Sequence, residues 1–122
     1  MAQQHEIGKT GEELARRFLE GEGYRILETN WRYSRAEVDL IAMDGQALVF
    51  VEVKTRSTDA FGRPEEFVSL KKQRLMAMAA GAYMEAIGHY WEVRFDVVSI
   101  LYRSEADYEL RHLKDAFFPG LA

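Results

Sequence analysis

Two β-rich runs, Glu37–Met43 and Gln46–Lys54, stand on either side of Asp44-Gly45. Asp-Gly between such runs is the strongest short hairpin signal, because the tight turns that match strand twist need the positive φ these residues tolerate. The two runs are therefore expected to pair antiparallel. A two-residue turn at Asp44-Gly45 would pair Met43 with Gln46, Asp39 with Phe50 and Glu37 with Glu52. Alternation then sets Leu48, Phe50, Glu52 and Lys54 on one face and Val49, Val51 and Val53 on the other. Glu37 and Asp39 share a face by the same rule, so Asp39 is expected diagonal to Glu52, roughly 7–8 Å away at the backbone.

The rest of the chain arranges itself around that hairpin. Ile7, Leu14, Ala15, Phe18 and Leu19 recur at helical spacing and Gly21-Glu22-Gly23 supplies a stop, predicting a helix from about Gly8 to Glu20. Tyr24–Trp31 reads as a strand, and Thr55–Glu66, without apolar period, as a loop. Val68–Ile87 reads as a second helix with Leu70, Leu75, Met78, Ala79, Ala82, Tyr83 and Ile87 as its apolar face and Gly88 as its stop. Strands at Trp91–Tyr102 and about Tyr108–Leu113 follow, then the apolar tail Phe117-Phe118-Pro119. The order αβββαββ, with a crossover helix before the fourth strand, predicts a mixed sheet covered on both faces, a three-layer α/β sandwich. No repeat or linker divides residues 1–122, so one domain is expected.

Composition narrows the chemistry. No residue is cysteine, which excludes disulfides, iron–sulfur clusters and thiolate zinc sites. The longest apolar runs are broken by Glu52 and Glu85, and Met1–Glu6 lacks a basic start leading into an apolar stretch. No membrane association is expected, and the cytoplasm is the expected location. A net charge of −4 runs against gripping a polyanion, since such affinity comes mainly from Lys and Arg. From Lys54 to Arg74, however, Lys54, Arg56, Arg63, Lys71, Lys72 and Arg74 stand against Asp59, Glu65 and Glu66, a local balance of 6 − 3 = +3.

Glu52 on a strand of Val, Phe and Leu is poorly solvated and faces another carboxylate from the neighbouring strand. The arrangement asks for a compensating charge, from Lys54 or from a divalent cation. Mg²⁺ or Mn²⁺ held by Asp39 and Glu52, with the Val53 carbonyl completing its shell, suits phosphodiester hydrolysis: the ion stabilises charge at phosphorus and acidifies a bound water. Lys54 would position or deprotonate that water. Glu12, on the helix stripe with Gly8, Ala15 and Leu19, reads equally as a further ligand or as an exposed helix glutamate near the N-terminal dipole.

The remaining charges read as follows. Glu37 is an edge charge or a supporting base. Arg56, Lys71, Lys72 and Arg74 are candidate nucleic-acid contacts, set against the simpler reading of a wet helix face. His5, His89 and His112 have no ligand spacing, and Gly8-Lys9-Thr10 lacks the preceding glycine and strand of a phosphate loop.

Taken together, Gly11-Glu12, Leu14-Ala15, Phe18-Leu19, Gly23-Tyr24, Asn30-Trp31-Arg32, Ala36–Ala42, Val49–Arg56 and Arg94–Val98 resemble the YraN family across nearly the whole chain. The resemblance implies a minimal restriction-endonuclease-like fold of the PD-(D/E)xK nuclease superfamily, related to archaeal Holliday-junction resolvases. It places the helix acid at Glu12, the strand aspartate at Asp39 and the E-x-K pair at Glu52 and Lys54. Ala36 stands where the family usually has Gly, and no Pro precedes Asp39. The implied function is a metal-dependent DNase on branched or single-stranded DNA in repair or recombination, with a homodimer inherited from the resolvases. The competing expectation, prompted by the acidic net charge, is a noncatalytic nucleic-acid-binding or protein-interaction module that keeps the fold.

Overall fold

A computed structural model describes residues 2–57 and 67–118 of the chain. Its elements are α1 (Ala2–Gly21), β1 (Arg25–Tyr33), β2 (Ala36–Asp44), β3 (Ala47–Arg56), α2 (Leu70–Ile87), β4 (Val93–Ser104) and β5 (Asp107–Leu113). The strands form one mixed sheet in the order β1-β2-β3-β4-β5, antiparallel except for the parallel β3–β4 pair that α2 connects. A right-handed crossover helix is the short route between parallel neighbours, which is why α2 stands where the sequence placed it.

The hairpin forms two positions out of the expected register. Asp44 faces Ala47, Met43 faces Leu48, Ile41 faces Phe50 and Leu40 faces Val51. Gly45 and Gln46 are the turn residues, with Gly45 at φ 60°. Asp44 is a strand residue instead of a turn residue because its carboxylate accepts a hydrogen bond from Arg94 Nη1 at 3.0 Å. A shift of two preserves which face every side chain occupies, so Glu52 and Lys54 stay on the Phe50 side. It changes their neighbours: one more rung beyond Leu40–Val51 would set Asp39 opposite Glu52, not diagonal to it. Glu37 does not meet Glu52 but faces Arg32 on β1, with Arg32 Nε 3.5 Å from its carboxylate.

Each helix buries a stripe on one face of the sheet. Leu14, Ala15 and Leu19 of α1 pack with Val49, Val51, Val98 and Ile100, and Met76, Ala79, Ala80 and Tyr83 of α2 pack with Leu48, Phe50 and Phe95. The α2 stripe differs from the expected one: Leu70, Met78 and Ile87 are exposed, while Met76 and Ala80 are buried. Two central alanines bring α2 down onto the stacked Phe50 and Phe95 rings, 5.5 Å apart, and this turns the larger Leu70 and Met78 outward.

Other boundaries move for identifiable reasons. Helix α1 starts at Ala2, earlier than Gly8. Helix α2 starts at Leu70, not Val68, because Ser69 is its N-cap, accepting the Lys72 N–H on its hydroxyl at 3.2 Å. Thr55 and Arg56, expected in a loop, extend β3 opposite Ile100 and Leu101 of β4. The rest of that loop, with Asp59, Arg63, Glu65 and Glu66, lies outside the described residues, as do the side chain of His5 and Pro119. Of the tail, Phe117 packs against Phe95 at 5.4 Å between centroids, and Phe118 is exposed. Among the described residues no helix is long and apolar enough to cross a membrane.

Candidate functional site

The alternation of β2 breaks at Asp39. Val38 packs in the α2-side core, whereas Leu40, two residues on, packs in the α1-side core. Across the β1–β2 pair, Trp31 faces Val38 and Thr29 faces Leu40, so Asn30 lies opposite the break, and it takes the left-handed φ of 51°. Such a conformation costs most side chains about 1–2 kcal/mol and is tolerated best by Gly, Asn and Asp. The β2–β3 ladder also has its last paired rung at Leu40–Val51, next to the break. Beyond it the carboxylate takes over: Asp39 Oδ2 accepts the Val53 N–H at 2.7 Å. In an extended strand one residue's N–H and C=O point to the same edge, so the Val53 carbonyl is turned toward the same notch.

Helix α1 closes on this notch because it has a glycine where it crosses β3. A Cβ on Gly11 would lie 1.9 Å from Thr55 Oγ1, far inside contact distance. The next residue is Glu12, whose negative charge acts on Asp39. Gly11→Ala is therefore expected to lower stability by about 1–3 kcal/mol through overpacking and to lift Glu12 away from Asp39, as read from the urea midpoint.

Burial, then the neighbouring Glu52 and Glu12 charges, push Asp39 up to about 8 against the opposing pull of the Val53 N–H and Lys72. Glu52 itself, with its side chain 14% exposed, leaves Oε1 buried without a hydrogen-bond partner. The cation facing it is Lys72 of α2, with Nζ 3.6 Å from Oε1, an ion pair too long for a hydrogen bond. Sequence reasoning nominated Lys72 for phosphate contact, and the Ser69 cap that aims it at Glu52 went unread. Lys54, half-buried, follows Glu52 on the same face, opposite Ser99 of β4.

The donors around Asp39 are carboxylate and carbonyl oxygens, a set that suits Mg²⁺ or Mn²⁺ and not a thiophilic metal. The orphaned Glu52 oxygen and the raised Asp39 carboxyl are the fit: each is a buried carboxyl oxygen site that a cation would complete. Among the described residues no three His, Asp or Glu side chains already stand as a closed ligand shell. Like charges spread apart, and Glu52 leans toward Lys72.

Arg56, Lys71 and Arg74 are exposed, and Arg56 Nη1 donates to the Thr55 carbonyl at 2.9 Å. On the α1 side a cleft of about 170 Å³ runs from Glu12 to Leu40, walled also by Lys9, Arg16, Thr29 and Asn30. Sequence reading did not find it, because the kink that opens it is a pairing irregularity with Asn30 as its sole local sign.

Also unread was a buried polar cluster at the hairpin end of the α1-side layer. Asp96 is fully buried and accepts from Arg94 Nε at 2.9 Å, Arg94 Nη2 at 3.1 Å, His112 Nε2 at 2.8 Å and the Asp115 N–H at 3.0 Å. Burial alone would raise its carboxyl, but His112, Arg94 and the Asp115 amide outweigh that and hold it below the usual range. Arg94 also reaches Asp44 and the Tyr24 hydroxyl. Burial pushes the Tyr24 phenol up to about 12, so it stays neutral. Opposite charges two apart on an otherwise apolar strand, Arg94 and Asp96, were the available signal. His89, by contrast, is a buried loop residue whose Nε2 lies 2.7 Å from the Glu92 carbonyl.

A model of the family described as "Uncharacterised protein family UPF0102" matches residues 11–100, the span from Gly11 through β3 to the middle of β4. The UPF0102 protein of Christiangramia forsetii is 46% identical over 118 residues, covering 97% of this chain and 98% of that protein. The UPF0102 protein of Bacteroides thetaiotaomicron is 41% identical over 121 residues, covering 99% of each.

Proposed function

The chain belongs to the uncharacterised protein family UPF0102, the YraN family, and on that footing we propose a metal-dependent phosphodiesterase acting on branched or single-stranded DNA. The observation that carries the reading is the buried Glu52 oxygen without a hydrogen-bond partner, beside an Asp39 that burial and Glu52 hold up to about 8. Two partly neutralised carboxylates in a notch are costly unless a cation completes them.

In this reading Asp39 and Glu52 would hold Mg²⁺ or Mn²⁺, with the Val53 carbonyl and Glu12 as further donors. The bound ion would supply charge stabilisation at the phosphoryl group and a water acidic enough to attack near neutral pH. Asp39 gives up its proton on loading, and its Oδ2 stays oriented by the Val53 N–H. Lys72, now 3.6 Å from Glu52, would be available to a phosphate oxygen once a cation neutralises that carboxylate. Lys54 Nζ would orient the attacking water, or take its proton if the amine is neutral there. The protein would act in the cytoplasm, and a homodimer belongs to the same proposal, to be read by sedimentation.

The test is a calorimetric titration of Mn²⁺ into the wild type and Glu52→Gln, followed by incubation of both with junction and single-stranded DNA. The wild type is expected to bind and cleave. Glu52→Gln should bind at least about a hundredfold more weakly, since losing even a supporting group costs 10–100-fold. Metal binding by neither protein, with DNA bound in its absence, would put the noncatalytic module in its place.

A further inference from the structure

The candidate cations named from sequence flank α2, yet the cleft beside the carboxylates opens on the other side of the sheet. Its walls are the α1 stripe of Lys9, Glu12 and Arg16 and the kinked β1 segment at Thr29 and Asn30, with Leu40 as its floor next to Asp39. From this geometry we infer that the α1–β1 cleft is the binding site for the sugar–phosphate backbone of an unpaired nucleic-acid strand, with Lys9, Arg16 and Asn30 as its contacts. The inference rests on the phosphodiesterase reading and gives that site its substrate class.

Three observations carry it. Lys9 and Arg16 lie seven residues apart on one helix stripe, about 10 Å at 1.5 Å per residue, with Glu12 between them. A strand passing along the stripe would put phosphates near the two cations, with Glu12 between them and beside Asp39. Arg16 makes an exposed pair with Glu20 at 3.6 Å, and the acidic wall residue Glu13 is engaged by Arg17 at 3.7 Å. Exposed i,i+4 pairs of this kind are weak and yield readily to a phosphate.

The left-handed Asn30 is the second observation. It lines the wall at the break opposite Asp39, and an Asn amide carries both donor and acceptor groups. The third is size. A cleft of about 170 Å³ is small beside the roughly 300–1,000 Å³ of a pocket that encloses a whole small ligand. That is room for one sugar–phosphate unit at a time. A duplex presents two backbones across a groove about 12 Å wide, and the two cations of the cleft, Lys9 and Arg16, both stand on its α1 wall.

The test uses the full chain and fluorescein-labelled oligo-dT, read by anisotropy with Ca²⁺ replacing Mn²⁺, beside a Mn²⁺ titration of each protein. Lys9→Ala/Arg16→Ala is expected to bind oligo-dT at least about tenfold more weakly and to lose about 1.4 from the salt slope, the share of two single-strand phosphates. Its Mn²⁺ affinity should equal that of the wild type. Lys71→Ala/Arg74→Ala should change oligo-dT binding little, and unlabelled duplex should compete less well than unlabelled oligo-dT. Unchanged binding by the α1 variant, preferential competition by duplex, or no oligo-dT binding by a wild type that takes up Mn²⁺ would each overturn the inference and leave the metal site standing. Loss of Mn²⁺ binding in the wild type would overturn the phosphodiesterase reading instead, and the oligo-dT arm would still report on the cleft.

Discussion

Asp39→Asn is expected to stabilise the metal-free protein at neutral pH and to abolish its response to Mn²⁺. The Asp39 carboxyl titrates near 8 in the folded chain, raised chiefly by burial and then by Glu52, against 3.8 when exposed. Between about pH 4 and pH 8 the folded state therefore holds a proton that the unfolded state lacks, and stability falls as pH rises through that window. The penalty is present in full only above the folded value. Asparagine removes the charge and the titration while its carbonyl oxygen still accepts the Val53 N–H. The variant should gain about 1–3 kcal/mol at pH 7, after allowance for relaxation around Lys72, and its pH profile should flatten across the window.

Added Mn²⁺ should reverse the ranking. At a hundred times the dissociation constant a ligand adds about 2.7 kcal/mol to the wild type by mass action and nothing to a variant that cannot bind it. Loading at pH 7 should release close to one proton from the wild type, measurable by calorimetry in buffers of different ionisation enthalpy, and affinity should climb as pH approaches 8. Melting curves from pH 4 to 9, with and without Mn²⁺, check all of this. A variant that tracks the wild type in both series would remove Asp39 from the site.

Asp96→Ala should produce the largest loss of stability, about 3–5 kcal/mol, because it strands Arg94 and His112 among buried partners. Four hydrogen bonds converge on that carboxylate, two from Arg94, one from His112 and one from the Asp115 amide. Its depressed titration gives the opposite sign from Asp39. The stability it contributes is present above 3.8, the unfolded value, and is lost as pH falls below it toward the folded one. A urea midpoint in wild type and variant measures the loss, and a change below about 1 kcal/mol would show that the cluster is not a support. Arg94 also ties Asp44, at the end of β2, to Asp96 on β4. The cluster thus holds the hairpin in the register that carries Asp39 to Glu52, and a variant that stays folded should bind Mn²⁺ more weakly as the register loosens.

The sequence alone determined what depends on local chemistry and period. Asp44-Gly45 required a hairpin, period-two alternation put Glu52 and Lys54 on one face, and the helix between the third and fourth strands required a parallel pair there. The αβββαββ order and the resemblance over Gly11–Val98 follow from the same local patterns. Tertiary structure decided what depends on partners far apart in the chain. The hairpin moved by two residues because Asp44 is claimed by Arg94, fifty positions away, and alternation cannot see a shift of two. Helix α2 turned Met76, Ala79, Ala80 and Tyr83 toward the aromatic pair beneath it and left Leu70, Met78 and Ile87 outside, because packing on Phe50 and Phe95 selects the buried stripe. Lys72 was assigned to Glu52 by a serine cap, a proton stayed on Asp39 because burial and two glutamates outweigh one amide, and a cleft opened where Asn30 bends the backbone. Spacing along a chain states which side chains share a face. Only packing in three dimensions states what each faces, and charge, proton and ligand preference follow from that.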